Sequence, residues 1–263
     1  MELIKKQIHM NQWKGNVTTQ ITLDDDFIVP DTLDDMEQVM LDTGEIQIET
    51  VKNQGDKVAV KGKLEFQVLY RKESGGLQTL GGNIPFEEVV NVQGLEEKDY
   101  VGLNWMLEDL NTDMINSRKL GVQAIITLQV RVETLRDVEA AVDVDMENNS
   151  RPAGAGMSDT DGAGQVQVET LKRTANAAAI AVRRKDTYRI KEELSLTGGK
   201  PNIGQLLWRE MKLRDVTAKP LDGRLHLDGE LSVFVIYGAE DENMPVQWLE
   251  ETIPFSGDME MGD

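Results

Sequence analysis

From Val58 to Tyr70 the chain keeps a two-residue rhythm. Val58, Val60, Gly62, Leu64, Phe66, Val68 and Tyr70 take every second position, and Lys61, Lys63, Glu65 and Gln67 lie between them. An extended backbone turns successive side chains to opposite faces, so this pattern predicts a strand with one apolar and one solvated face. Val122, Ala124, Ile126, Leu128, Val130 and Val132 alternate in the same way, and Ile46 to Val51 and Val101 to Leu107 are further strand candidates. Gly75-Gly76 and Gly81-Gly82 read as turns. Only Asp34 to Leu41 and Asn202 to Arg209 show helical spacing, opened by Asp34 and Asn202 as caps.

The same pattern returns later in the chain. Lys57 to Tyr70 aligns with Arg224 to Tyr237 at an offset of 167, placing Gly62, Leu64, Val68 and Tyr70 on Gly229, Leu231, Val235 and Tyr237. Upstream, Phe27 and Val29 meet Leu194 and Leu196, and Met36, Val39 and Met40 meet Ile203, Leu206 and Leu207. Downstream, Ile84-Pro85-Phe86 meets Ile253-Pro254-Phe255 at an offset of 169. Self-similarity at a fixed offset points to tandem units. Between them Asp143 to Gln165 is rich in Gly, Ala, Ser, Asp and Asn and reads as a flexible linker.

The expected organisation is a first module over residues 1–142, a linker over 143–165 and a second module over 166–263. The fold class is mainly β with short helices (α+β), as two homologous sandwich-like or barrel-like modules in tandem. Leu171 to Lys185 has helical propensity, but its counterpart Ile4 to Thr18 reads as extended, and strand is preferred. Few residues follow Phe255 compared with the long stretch after Phe86, so the second module is expected to be incomplete. Either the sequence is part of a longer protein, or another chain completes the sheet, with self-association through an open strand edge.

Composition narrows the chemistry. The 263 residues contain no cysteine and two histidines, His9 and His226, which removes thiol nucleophiles and Cys-type or paired-His metal centres from a single copy. A net charge of −19 disfavours nucleic acid and anionic lipid as partners. No apolar run reaches the ~18 residues of a membrane span, so no integral membrane contact is expected, and the N-terminus lacks the pattern of a secretory signal. The cytosol is the default compartment.

The remaining candidates have plainer alternatives. Thr197-Gly198-Gly199-Lys200-Pro201 approaches a phosphate loop, but Pro201 occupies the hydroxyl position, and a turn is favoured. A serine triad would have to enlist His9 or His226; His226 reads as a solvated strand residue. Asp24-Asp25-Asp26 and Asp31, Asp34 and Asp35 lack the glycine and terminal glutamate of an EF-hand, and read as solvated turns near a helix start. Arg183-Arg184-Lys185 and Asn116-Ser117-Arg118-Lys119 read as solvated basic edges. No catalytic, cofactor-binding or metal-binding residue is assigned, and no cofactor is expected.

At the repeat the chain resembles a known family. Gly62 to Tyr70, Ile84-Pro85-Phe86 and Ile115 to Lys119, with a second copy at Lys200 to Ile203, Gly229 to Tyr237 and Ile253-Pro254-Phe255, resemble the SPOCS domain of SipL-like spore-coat morphogenetic proteins of Clostridia. The motif residues carried over, Gly62, Tyr70, Pro85, Phe86, Arg118, Lys119, Gly229, Tyr237, Pro254 and Phe255, are structural rather than catalytic. The resemblance implies a non-enzymatic protein of the mother-cell cytosol at the forespore surface. Its implied partners are other coat morphogenetic proteins, including an ATP-hydrolysing coat-basement protein. The best-known members make that ATPase contact through a LysM module, which the 263 residues do not include. The alternative reading is a carbohydrate- or cell-wall-binding module in which Trp13, Trp208 or Trp248 stacks on sugar rings.

Overall fold

The computed structural model describes residues 2–145, 171, 173–174, 187–196, 198–240 and 245–261. The chain forms β1 (Glu2–Ile28), β2 (Met36–Asn53), β3 (Lys57–Lys72), β4 (Leu77–Asn91), β5 (Tyr100–Asn116), β6 (Lys119–Asp145), β7 (Ile203–Leu221), β8 (Arg224–Ala239) and β9 (Val246–Glu260). They make three antiparallel three-stranded sheets, ordered β1-β6-β5, β2-β3-β4 and β7-β8-β9.

The two alternating rows read from the sequence are the central strands of the first two sheets, and they close on each other. Val58, Val60, Leu64, Val68 and Tyr70 of β3 share one core with Val122, Ile126, Leu128, Val130 and Val132 of β6, all completely buried. Full burial of such side chains is worth about 1.5–3 kcal/mol each relative to exposure, and this shared interior holds the two sheets as a sandwich. Lys14 of β1 pins the β4–β5 connection, its ammonium lying 2.8 Å from buried Asp99 and 2.9 Å from Glu96. Burial pushes Asp99 up, but the hydrogen bond from Lys14 and one from the Glu96 backbone outweigh it and hold the carboxyl below its ordinary range.

The third sheet repeats the second in detail. Ile46 pairs with Leu64 as Leu213 pairs with Leu231, and Gly62 pairs with Phe86 as Gly229 pairs with Phe255. The bulges recur at equivalent places, Met36/Gln38 and Val39/Leu41 in β2, Ile203/Gln205 and Leu206/Trp208 in β7. The third sheet meets the sandwich through Leu207, Trp208, Phe234 and Ile236 against Leu69 and Leu77, and Thr79 donates a hydrogen bond to the Leu207 carbonyl.

Two expectations change. No helix occurs among the described residues; Met36 to Leu41 and Ile203 to Arg209 are the bulged starts of β2 and β7. Each bulge inserts a residue that breaks the two-residue alternation, and the resulting spacing of Met36, Val39 and Met40 imitates a helical stripe. Gly81-Gly82 is strand interior rather than turn: a Cβ on Gly82 would lie 2.7 Å from the Phe66 ring and 2.9 Å from Phe27, so glycine makes room for aromatic rings. Gly75 and Gly76, at φ 91° and 84°, do form the β3–β4 turn. The linker expected over 143–165 and the strand expected over Leu171 to Lys185 lie almost wholly outside the described residues.

The motif glycines mark close approach. A Cβ on Gly229 would lie 2.5 Å from the Phe255 ring, and one on Gly62 2.7 Å from both the Phe86 ring and the Gln47 carbonyl. Overpacking of this kind costs about 1–3 kcal/mol. Gly229→Ala is therefore expected to destabilise its sheet by about that amount, and Phe255→Leu in the same chain to cancel most of the loss. Gly62→Ala, which also meets backbone, is expected to remain costly beside Phe86→Leu. Urea unfolding of both double-mutant cycles checks this, and additive costs at Gly229 and Phe255 would contradict it.

Candidate functional site

Tyr70, Arg118 and Lys119 lie by the connection between β1 and β2, whereas Gly62, Pro85 and Phe86 pair farther along β3 and β4, and Gly229, Tyr237, Pro254 and Phe255 belong to the third sheet. Arg118, in the β5–β6 turn, is committed on both arms of its guanidinium: Nη1 donates to the Leu33 carbonyl (2.8 Å) and Asp35 (3.0 Å), Nη2 to the Val29 carbonyl (2.9 Å) and Asp31 (3.1 Å). A planar five-donor group suits this task, since it closes two orphan carbonyls and two carboxylates at once. Arg118 is thus a clamp on the 29–35 connection rather than a solvated basic edge. Lys119 pairs with Asp26 at 2.6 Å. Asp34 bonds Lys72 and Ser74, which hold its carboxyl below the ordinary range.

Tyr70 completes the knot. Its ring is completely buried and its hydroxyl lies 3.0 Å from both the Asp34 carbonyl and Gln78 Oε1. Burial, reinforced by the Asp34 charge, pushes the phenol above its ordinary value, so it stays a donor. Tyr237 repeats the arrangement, completely buried and donating to the Pro201 carbonyl at 3.2 Å, the position equivalent to Asp34. Pro85 and Pro254 occupy solvent-facing positions on β4 and β9, edge strands of their sheets, where the missing N–H is tolerated.

A second cluster lies on the outward face of β8 and β9. Cross-strand pairing of His226 with Asp258 and of Asp228 with Ser256 brings four polar side chains together. His226 Nδ1 is 2.6 Å from Asp258 and Nε2 is 3.1 Å from Asp228, while Ser256 Oγ lies 3.5 Å from Nε2. The residue types are those of a serine triad. The wiring differs, because Ser256 donates to Asp228 (3.1 Å) and the imidazole stands between two carboxylates. The hydrogen bond to Asp258 raises the His226 pKa, favouring the cation, which cannot take a proton from a hydroxyl. Arg224 adds a 2.8 Å ion pair to Asp258. The cluster is an ion-paired brace across the hairpin. His9 forms a simpler pair with Asp137 at 2.6 Å.

The other sequence candidates are dispersed. Among Asp24, Asp25, Asp26, Asp31, Asp34 and Asp35, five meet cationic partners or a side-chain amide, and the described residues hold no group of three or more His, Asp or Glu placed for a metal ion. Lys200 does not face a phosphate loop; it lies 4.7 Å from the Trp248 ring centre. Trp208 is core, whereas Trp13, Trp105 and Trp248 are about half exposed, Trp13 beneath Arg131 at 4.6 Å. An apolar groove lined by Leu77, Phe234, Ile236, Val246 and Trp248 runs beside the contact between the second and third sheets. Arg183-Arg184-Lys185 lies outside the described residues.

A family model described as SipL, SPOCS domain, matches residues 35–115 and 202–263, just over half of the chain. The chain belongs to the SipL SPOCS domain family. The two matched segments span β2 to β5 and β7 to β9, so the SPOCS pattern falls on both copies of the bulged sheet. The SPOCS family is associated with the spore coat. No curated protein and no solved structure matches the chain. No helix among the described residues is long and apolar enough to cross a membrane.

The His226 brace predicts a pH signature. Its raised pKa means that the stabilisation is fully present below the ordinary histidine value near 6.5 and is lost as pH rises through the higher folded value. Asp258, lowered by its hydrogen bond from His226, contributes above its ordinary value near 3.8 and loses that contribution as pH falls through the lower folded value. The stability advantage of the parent over His226→Gln is therefore expected to be largest between these limits and to shrink on either side. Urea midpoints from pH 3 to 9 check it; a pH-independent difference would contradict it.

Proposed function

We propose that this SPOCS protein is a non-enzymatic interaction protein that scaffolds spore-coat assembly, working in the mother-cell cytosol at the forespore surface. Its partners are other coat morphogenetic proteins, the coat-basement ATPase among them. The observation that carries this reading is how the motif residues are used: Gly62 and Gly229 lie under aromatic rings, Tyr70 and Tyr237 cap backbone carbonyls, and Arg118 ties a connection to a turn. Each sets the shape of a sheet or its ends, and a protein defined by such residues offers surface to its partners.

Exposed Trp13 and Trp248 favour a second reading, a carbohydrate- or cell-wall-binding module, although a cation already covers each ring. One experiment separates the two. The full chain, immobilised and exposed to lysate of sporulating cells, is expected to retain coat morphogenetic proteins and to stay in the supernatant when spun with purified peptidoglycan. Sedimentation with peptidoglycan that is lost in Trp248→Ala, without recovery of coat proteins, would overturn the scaffold reading.

A further inference from the structure

β9 ends its sheet, with β8 on one side and no further strand on the other among the described residues. Such an edge offers N–H and C=O groups to any extended backbone, a second copy of the same strand included. The register decides which groups these are. At either end of the β8–β9 ladder the Ala239 amide bonds the Pro245 carbonyl and the Met261 amide bonds the Gly223 carbonyl. Between these bonds the pairing runs from Val246 to Glu260 without a shift, and opposed residues of an antiparallel ladder alternate between bonded and unbonded pairs. The odd-numbered residues of β9 therefore bond β8, and the even-numbered ones turn their backbone groups to the outer edge.

Those outward groups are guarded. Lys200 Nζ donates to the Trp248 carbonyl while lying over the Trp248 ring, and Tyr188 Oη donates to the Ser256 carbonyl at 2.9 Å. Gln247 Nε2 donates to the Val246 carbonyl at 2.9 Å. All three acceptors are even-numbered, as the register requires. Pro254, also even-numbered, has no N–H to offer on that side. Glu250 and Thr252 thus stand between blocked neighbours, and an incoming strand finds no long run of open positions. In the first copy Pro85 likewise faces away from β3, since the Val92 amide bonds the Asp56 carbonyl across that ladder, and β1 runs beside β4. Tyr188 stands 167 residues after Ile21 of β1, the offset of the repeat.

We propose that Tyr188, Lys200 and Pro254 guard the outer edge of β9 and keep two copies of this chain from joining their third sheets strand to strand. The proposal goes beyond the scaffold reading and stands without it. The full chain carrying Tyr188→Ala, Lys200→Ala and Pro254→Val, with unchanged far-ultraviolet circular dichroism, is expected to self-associate about tenfold or more tightly than the parent in sedimentation, because two carbonyls and one N–H return to the edge. A milder variant, Lys200→Met with Pro254→Val, leaves Tyr188 in place, serves if the first does not fold, and is expected to shift association in the same direction. In either variant, hydrogen exchange at the Glu250 and Thr252 amides, which face the outer edge, is expected to slow as the oligomer forms. Folded variants that associate no more tightly than the parent, or oligomers in which those two amides exchange as fast as in the monomer, would overturn the proposal. So would a parent chain in which self-association already protects them.

Discussion

The fold depends on one contact, the closure of the apolar row of β3 against that of β6. Both rows are completely buried, and each belongs to a central strand, so the contact fixes how two three-stranded sheets lie on each other. Edge strands then pack on what the central strands define. Phe27 of β1 meets Phe66 of β3 edge-on at 4.5 Å, and that approach is open because Gly82 carries no side chain. The third sheet has the first half of this design, a row of apolar residues on β8, and lacks a β6 among the described residues.

Polar chemistry in the SPOCS chain is spent on the ends of the sheets. Irregular backbone between strands leaves carbonyl groups without ladder partners, and a buried unpaired carbonyl is costly. Arg118 closes two of them and Tyr70 a third; Tyr237 repeats the last bond in the other copy. Carboxylates that read as solvated turns in the sequence hold lysines and arginines that fasten connections, as Asp26 does with Lys119 and Asp35 with Arg118.

The central strands were legible because their alternation is local and uninterrupted. The repeat was legible for the same reason: Gly62 to Tyr70 and Gly229 to Tyr237 keep identical spacing, and the close approach at each glycine follows from a glycine standing in a row of otherwise large apolar residues. The starts of β2 and β7 were misread as helices because paired bulges change the parity of the pattern, and a bulge is visible only against its partner strand. Arg118 was misread because its acceptors lie more than 80 residues away in the chain, on a connection that only folding brings near. The Ser256–His226–Asp258 group was missed for a similar reason. Its members are cross-strand neighbours, so the β8–β9 register had to be known before they could be seen together.

The central claim is that sealing one apolar sheet face with another determines which part of the chain is most stable. Hydrogen exchange at increasing urea, below the global transition and at protein concentrations where the chain is monomeric, tests it most directly. The slowest amides of β3 and β6 should converge on one free energy, the global one, while those of β8 exchange through a separate, less costly opening. Amides of β8 that follow the same isotherm as β3 and β6, or β3 and β6 opening apart from each other, would contradict it.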